Sequence, residues 1–199
     1  MDSDKVYLRI AGITFSQVQA GAYALVLAEV NGIRRVPIII GTPEAQSIAI
    51  FLEKLNPPRP LTHDLFISFA KLLNIQLKEV FIYKYEDGIF FSELIFTDGI
   101  KNIRLDSRTS DAIALAVRTD AAIYTTEAIM KEVSIEMEED NILDDEIEKD
   151  LINRTEKSLE NKNLEELQQS LDESIVLENY EKASFIRDLI NRKKDQEDK

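Results

Sequence analysis

The residues best equipped for chemistry are concentrated between Pro57 and Leu65, a stretch that reads Pro-Pro-Arg-Pro-Leu-Thr-His-Asp-Leu. Three of the five prolines surround Arg59, and His63 is the sole histidine. An imidazole exchanges protons near neutral pH. A guanidinium held extended between prolines has little freedom left to lose when it grips an anion. A second group runs from Asp106 through Arg108 and Ser110 to Asp111, and Glu44 follows Gly41-Thr42-Pro43. Asp106, Asp111 and Glu44 are hard oxygen ligands of the kind that hold a divalent cation. His63, with the carboxylates of Asp64, Asp106 and Asp111, offers general acid–base chemistry. Arg59 and Arg108 suit the clamping of an oxyanion, and Thr62 and Ser110 add hydroxyls at helix starts. Spacing does not bring the two groups together; only the fold can.

Each candidate also has a plainer explanation. Glu44, Asp64 and Asp111 all sit two residues after a threonine, as first-turn acids that complement the positive end of a helix behind a threonine cap. Asp106 could serve an ion pair with Arg104 or Arg108, of little energetic weight by itself. Arg59 could bond a nearby carbonyl or carboxylate, and His63 could be an ordinary surface or interface residue. A further reading needs no metal: if the three helix starts converge, their backbone N–H groups with Arg59 and Arg108 form a hollow for an anion.

The elements that must position these residues follow from periodicity. Alternation of Val6, Leu8 and Ile10 predicts a half-buried strand. The apolar runs Tyr23–Val30 and Ile33–Ile40 flank Asn31-Gly32, a hairpin signal repeated at Asp87-Gly88 between Val80–Tyr85 and Ile89–Phe96. Asp98-Gly99 turns into Ile100–Asp106, and Ala122–Tyr124 is a further short strand. Helices are predicted after Thr42, Thr62 and Thr109. Their apolar faces are Ala45, Ile48, Ala49, Leu52 and Leu55, then Leu65, Phe66, Phe69, Leu72 and Leu73, then Ala112, Ile113, Leu115 and Ala116. Leu61 and Phe66 fall at the two positions of a hydrophobic staple for the second. A short helix from Glu127 closes the domain. The fold class is α+β: a largely antiparallel (mixed) sheet with about three packed helices, followed by a small C-terminal helical hairpin.

Charge divides the chain further. Residues 1–130 carry 13 Lys/Arg against 15 Asp/Glu, a net of −2, and residues 131–199 carry 11 against 22, a net of −11. Neither part has the broadly basic surface of a non-specific nucleic-acid binder, so phosphate contact must come from a local arginine cluster. Nine acids in residues 136–150 read as a solvated linker or an exposed helix. Beyond it, Leu164, Leu167, Leu171 and Ile175 mark one amphipathic helix, and Tyr180, Ala183, Ile186 and Ile190 a second, with a break at Glu178-Asn179. The expected division is a domain at 1–135, an acidic linker at 136–162 and a helical hairpin at 163–192. So small a hairpin buries little by itself and is expected to dimerise or dock. The absence of cysteine rules out disulfides and thiolate chemistry. With no signal-peptide pattern at Met1-Asp2-Ser3-Asp4 and no membrane-length apolar run, the expectation is a cytoplasmic protein without membrane association.

Three segments together resemble the bifunctional nuclease domain: Ile-Ile-Ile-Gly-Thr-Pro-Glu-Ala-Gln-Ser-Ile-Ala at 38–49, the 57–65 stretch, and Asp-Ser-Arg-Thr-Ser-Asp-Ala-Ile-Ala-Leu-Ala-Val-Arg at 106–118. Leu167–Ile190 resembles the UVR motif of excision-repair subunits, chiefly at Tyr180–Ala183 and Ile186–Asp188, and the pairing of the two is a recurrent bacterial arrangement. The resemblance implies hydrolysis of DNA and RNA phosphodiester bonds without strong sequence preference, and it carries no defined set of catalytic residues. The residue types supply the rest of the expectation: Mg²⁺ or Mn²⁺ held by Asp106, Asp111 and Glu44, His63, Asp106, Asp64 and Asp111 catalytic, and Arg59, Arg108, Thr62 and Ser110 on the substrate. The hairpin implies a protein partner or a homo-oligomer. A non-catalytic ligand-binding or adaptor protein on the same domain is the alternative. Thr109 stands where the family usually has proline, and Ser174 and Ser184 where the UVR pattern prefers alanine.

Overall fold

The computed structural model describes residues 5–16, 21–137, 144–176 and 180–197. Eight strands form one sheet in the order β6-β5-β4-β7-β1-β2-β3-β8. In chain order they are β1 Lys5–Phe15, β2 Ala22–Glu29, β3 Arg34–Gly41, β4 Gln76–Glu86, β5 Ile89–Thr97, β6 Asn102–Arg108, β7 Ala122–Thr126 and β8 Ile135–Glu136. Two antiparallel meanders, β1-β2-β3 and β4-β5-β6, are stitched together by β7, which runs parallel to β4 and antiparallel to β1. The sheet is therefore mixed, as its sequence predicts. At the β4–β5 hairpin both Asp87 and Gly88 have positive φ, 50° and 82°, the turn whose twist matches that of paired strands.

Four helices accompany the sheet: α1 Thr42–Leu52, α2 Thr62–Leu72, α3 Thr109–Thr119 and α4 Glu127–Val133. Helix α3 is the central one. Its small residues Ala112, Ala114 and Ala116 are buried along with Ile113 and Leu115, so it lies close to its neighbours and packs against α1, α2, β4 and β5. Ile48, Leu25, Leu27, Val80, Ile82 and Met130 complete the same core. Thr109 is buried at the start of α3, donating to the Phe90 carbonyl at 3.2 Å and lying 2.6 Å from Ser92 Oγ. A hydroxyl tied to β5 thus fixes the start that a proline would otherwise stiffen.

Several local expectations are corrected. The threonines of α1, α2 and α3 are first helical residues, and the cap positions are Gly41, Leu61 and Arg108, none of which makes a side-chain capping bond. Moving the cap of α2 to Leu61 also takes Leu61 and Phe66 out of staple register. The true side-chain cap is Thr126, which accepts from the Ile129 N–H at the start of α4. Helix α1 ends before Leu55, and both Leu52 and Leu55 are exposed. The largest departure is α2, which buries Ile67 and Ala70 and leaves Leu65, Phe66, Phe69, Leu72 and Leu73 open to solvent.

The chain separates into two compact units, Met1–Phe15 with Tyr23–Ile142, and Ser16–Ala22 with Leu143–Lys199. In the second, α5 Asp144–Glu160 forms within the acidic stretch, followed by α6 Leu164–Val176 and α7 Tyr180–Glu197. Leu159, Leu167, Ile186, Leu189 and Ile190 form its core. Of the predicted face of α6, Leu167 is in this core and Leu164 and Leu171 pack against it, while Ile175 is half exposed and Ser170 and Ser174 are buried instead. The Ser174 hydroxyl donates to the Ser170 carbonyl at 2.7 Å, which satisfies it within its own helix. The predicted break at Glu178-Asn179 and the side chain of Tyr180 lie outside the described residues. Among the described residues no helix is long and apolar enough to cross a membrane.

Candidate functional site at three helix starts

The starts of α1, α2 and α3 do converge, and a single run of polar contacts joins them. His63, in the first turn of α2, lies between two partners: Ser47 Oγ on α1 is 2.9 Å from Nδ1, and Asp111 Oδ1 on α3 is 3.1 Å from Nε2. Arg108, the residue before α3, donates from Nε to Asp111 Oδ2 at 2.8 Å and reaches Glu44 Oε1 on α1 at 3.0 Å. On the other side Asp64 accepts the Leu61 N–H at 2.8 Å and the Arg118 Nε–H at 2.6 Å. Arg118 also donates to the carbonyls of Ala114 at 2.8 Å and Ser47 at 3.1 Å. Contacts of this kind would be unremarkable on a surface; here the Arg118 side chain is only 4 % exposed and that of His63 only 17 %.

Charge explains the arrangement. Three carboxylates, Glu44, Asp64 and Asp111, surround two guanidiniums and one imidazole. Burial acts to raise the Asp111 pKa, but the bonds from Arg108 and His63 outweigh it and leave the group below its ordinary value. Asp64 is likewise lowered: burial opposes ionisation, and Arg118 with the Leu61 N–H more than offsets it. Arg108 is raised by Asp111. With Asp111 ionised, a neutral His63 donates from Nε2 and leaves the Nδ1 lone pair facing the Ser47 hydroxyl. A protonated His63 donates to both. The ring thus holds a proton donor or acceptor function against a hydroxyl without changing its place. Arg108, with its side chain 68 % exposed, offers the rest of its guanidinium to solvent.

Of the residues singled out in sequence, His63, Asp64, Asp111, Arg108 and Glu44 are brought together. Asp106 is not. It stands on β6 opposite Glu93, on the face of the sheet away from the helices, and accepts a long 3.4 Å bond from the Tyr83 hydroxyl. Neither of its expected arginine partners binds it, since Arg104 pairs with Glu93. The ligand set Asp106, Asp111 and Glu44 is therefore not assembled, and among the described residues no group of three or more His, Cys, Asp or Glu is placed to hold a metal. Where two of those acids do approach, Arg108 already lies between them. Arg59 is exposed in its proline-rich segment and makes no hydrogen bond or ion pair among the described residues, so the carbonyl or carboxylate partner considered for it is not there. Thr62 is exposed, and Ser110 is buried in the first turn of α3.

Sequence reasoning passed over Ser47 and Arg118. Both carried a signal. Ser47 stands three residues after Glu44, next to Ile48, where it puts a polar edge beside an apolar face. Arg118 stands seven residues after Asp111, two turns along the same face of α3.

A mixed α+β sheet whose three helix starts share one histidine–acid–arginine network defines a class of domain. Residues 25–138 match the bifunctional nuclease domain, and the chain belongs to that family. Two uncharacterized proteins from two strains of Mycobacterium tuberculosis are each 37 % identical to it over 149 residues, which spans 71 % of this chain and 88 % of theirs.

Proposed function

We propose that the protein hydrolyses phosphodiester bonds of DNA and RNA with little sequence preference, at the site centred on His63. The observation that carries the reading is the placement of His63 between Ser47 and Asp111 beside the exposed Arg108, in a chain of the bifunctional nuclease family. In the proposed reaction the Ser47 hydroxyl passes its proton to the facing Nδ1 of the neutral imidazole and takes one from the attacking water as the new P–O bond forms. Asp111 stabilises the resulting imidazolium, which returns a proton to the leaving oxygen as the old P–O bond breaks. Arg108 and Arg59 bind the non-bridging oxygens. Asp64 and Arg118 hold His63 in place and need not touch the substrate. The α6–α7 hairpin, UVR-like in sequence, serves protein docking or self-association, its acidity fitting a basic partner surface.

Purified full-length protein assayed on single-stranded DNA and RNA, with Mg²⁺, Mn²⁺ and EDTA arms, tests this. His63→Ala should lower cleavage by about 100-fold or more, the usual weight of a general base, while Asp106→Asn should stay near wild type. Equal cleavage by wild type and His63→Ala would overturn the site. A second reading is favoured by one observation: Asp64 and Asp111 are each already satisfied by an arginine, so the same network could lock α1, α2 and α3 together in a non-catalytic ligand-binding or adaptor protein. Absence of cleavage in every arm would favour it.

A further inference from the structure

The sheet of the first unit has two faces of different character. Leu8, Ile123, Val80 and Leu94 are cross-strand partners, and all four are buried in the core. One residue away along each strand, the opposite face carries Tyr7, Tyr124 and Phe81 side by side. Tyr7 and Tyr124 have ring centroids 5.3 Å apart. Beyond Phe81 on the same strand comes Tyr83, whose ring is 6.5 Å from that of Phe91. Phe91 in turn is the cross-strand partner of Arg108, the exposed guanidinium of the His63 site. A path of rings thus leads from the middle of the sheet to that site. Tyr7 is 48 % and Tyr83 36 % exposed, and the other three rings are half-buried. Lysines accompany them: Lys5 Nζ lies 5.1 Å from the Phe81 centroid and 5.2 Å from that of Tyr124, and Lys84 Nζ lies 5.1 Å from that of Phe91. Each is also held by a glutamate at 2.6 Å, Lys5 by Glu79 and Lys84 by Glu86.

We propose that this aromatic path binds a single strand of nucleic acid, its bases stacked on the exposed rings and its backbone led to Arg108. The proposal deepens the nuclease reading of the His63 site and rests on it for what the strand is led to. Three observations select this occupant. Every base has a face that stacks on an aromatic ring, so a platform of tyrosine and phenylalanine suits DNA and RNA alike with little sequence preference. In a duplex those faces are covered by neighbouring bases, so the platform requires an open strand. The span fits: from Tyr7 to Arg108 the path crosses β1, β7, β4, β5 and β6, about 19 Å at ~4.8 Å per strand step, room for a short run of nucleotides rather than one. Charge fixes the mode. The two lysines are tied to glutamates, and residues 1–130 carry a net charge of −2, so stacking rather than counterion release must carry the affinity.

The test is fluorescence anisotropy of the full-length protein with a labelled oligothymidylate of about 20 nucleotides, longer than a ~4–16 nucleotide single-strand site. Phosphorothioate linkages and EDTA keep cleavage out of the measurement. Wild type should bind the single strand more tightly than a duplex of the same length. Tyr7→Leu/Tyr83→Leu, which keeps apolar bulk and removes two ring faces, should weaken single-strand binding about 10-fold or more, and Tyr7→Phe/Tyr83→Phe should bind as wild type does. Both positions face solvent, so the circular dichroism spectra of the variants should be unchanged. Raising salt from ~50 to ~200 mM should weaken wild type only about threefold, the effect of a single phosphate contact. A wild type without preference for the single strand, a leucine variant that binds like wild type, or a steep salt dependence would overturn the proposal. The two readings fail separately. Binding that needs both tyrosines, in a protein that never cuts a strand of natural linkages, would uphold the platform and overturn the nuclease; cutting indifferent to the tyrosines would do the reverse.

Discussion

Arg118 is the charged side chain on which the candidate site leans, since its guanidinium bonds to α1, α2 and its own helix at once. Arg118→Met should leave the Asp64 carboxylate half-buried without its cation and destabilise the protein by about 3 kcal/mol, the cost of breaking such a pair from one side, measurable by urea unfolding. The same contacts fix the response to acid. Asp64 and Asp111 are held below their ordinary values, so the unfolded chain binds protons more readily than the native one. Their contribution is complete above the ordinary carboxylate range and is lost as pH falls through the lowered native values. The urea midpoint should therefore be steady near neutrality and decline below about pH 4, and Asp64→Asn should flatten part of that decline. At this scale the sequence was informative about residue type and poor about company. His63, Asp64, Asp111, Arg108 and Glu44 could be named because each sits at a helix start or next to one. Asp106 misled because strand alternation shows that it opposes Leu105 without showing which face of the sheet the helices cover.

Elements were legible where a local signal had no competitor. The Asp87-Gly88 turn required positive φ and has it, and the apolar face of α3 is buried as its spacing requires. Capping was misread because a threonine followed two residues later by an acid fits a cap and equally fits a first turn whose cap is the preceding residue. The difference has a thermodynamic signature. Thr126→Ala removes a hydroxyl that accepts a backbone N–H and should cost about 1 kcal/mol, whereas Thr62→Ala, at an exposed first-turn position, should stay within about 0.5 kcal/mol. Chemical denaturation of the two variants in parallel distinguishes them. Helix α2 was misread for another reason. Periodicity shows that a face is apolar, and it does not show whether the surface that covers it belongs to the same molecule.

At the scale of the whole molecule each unit has a core of its own. Ile186 is fully buried between the helices of the second unit. Ile186→Ala should destabilise that unit by about 2–5 kcal/mol while the ring signals of His63 in the first unit keep their positions, which a one-dimensional NMR comparison reads directly. The sheet of the first unit has a consequence in time as well as in space. Its two meanders are each made of neighbours in sequence, but they become one sheet only through β7, where Leu8 pairs with Ile123 and Val80 lies beside that same residue. The strand needed to join them is thus synthesised after both. On the ribosome, Lys5–Phe15 must wait with one edge unpaired until Ala122–Thr126 has emerged. Closure of so distant a pairing is slow compared with forming either hairpin, and until it happens the edge of β1 needs protection from other strands.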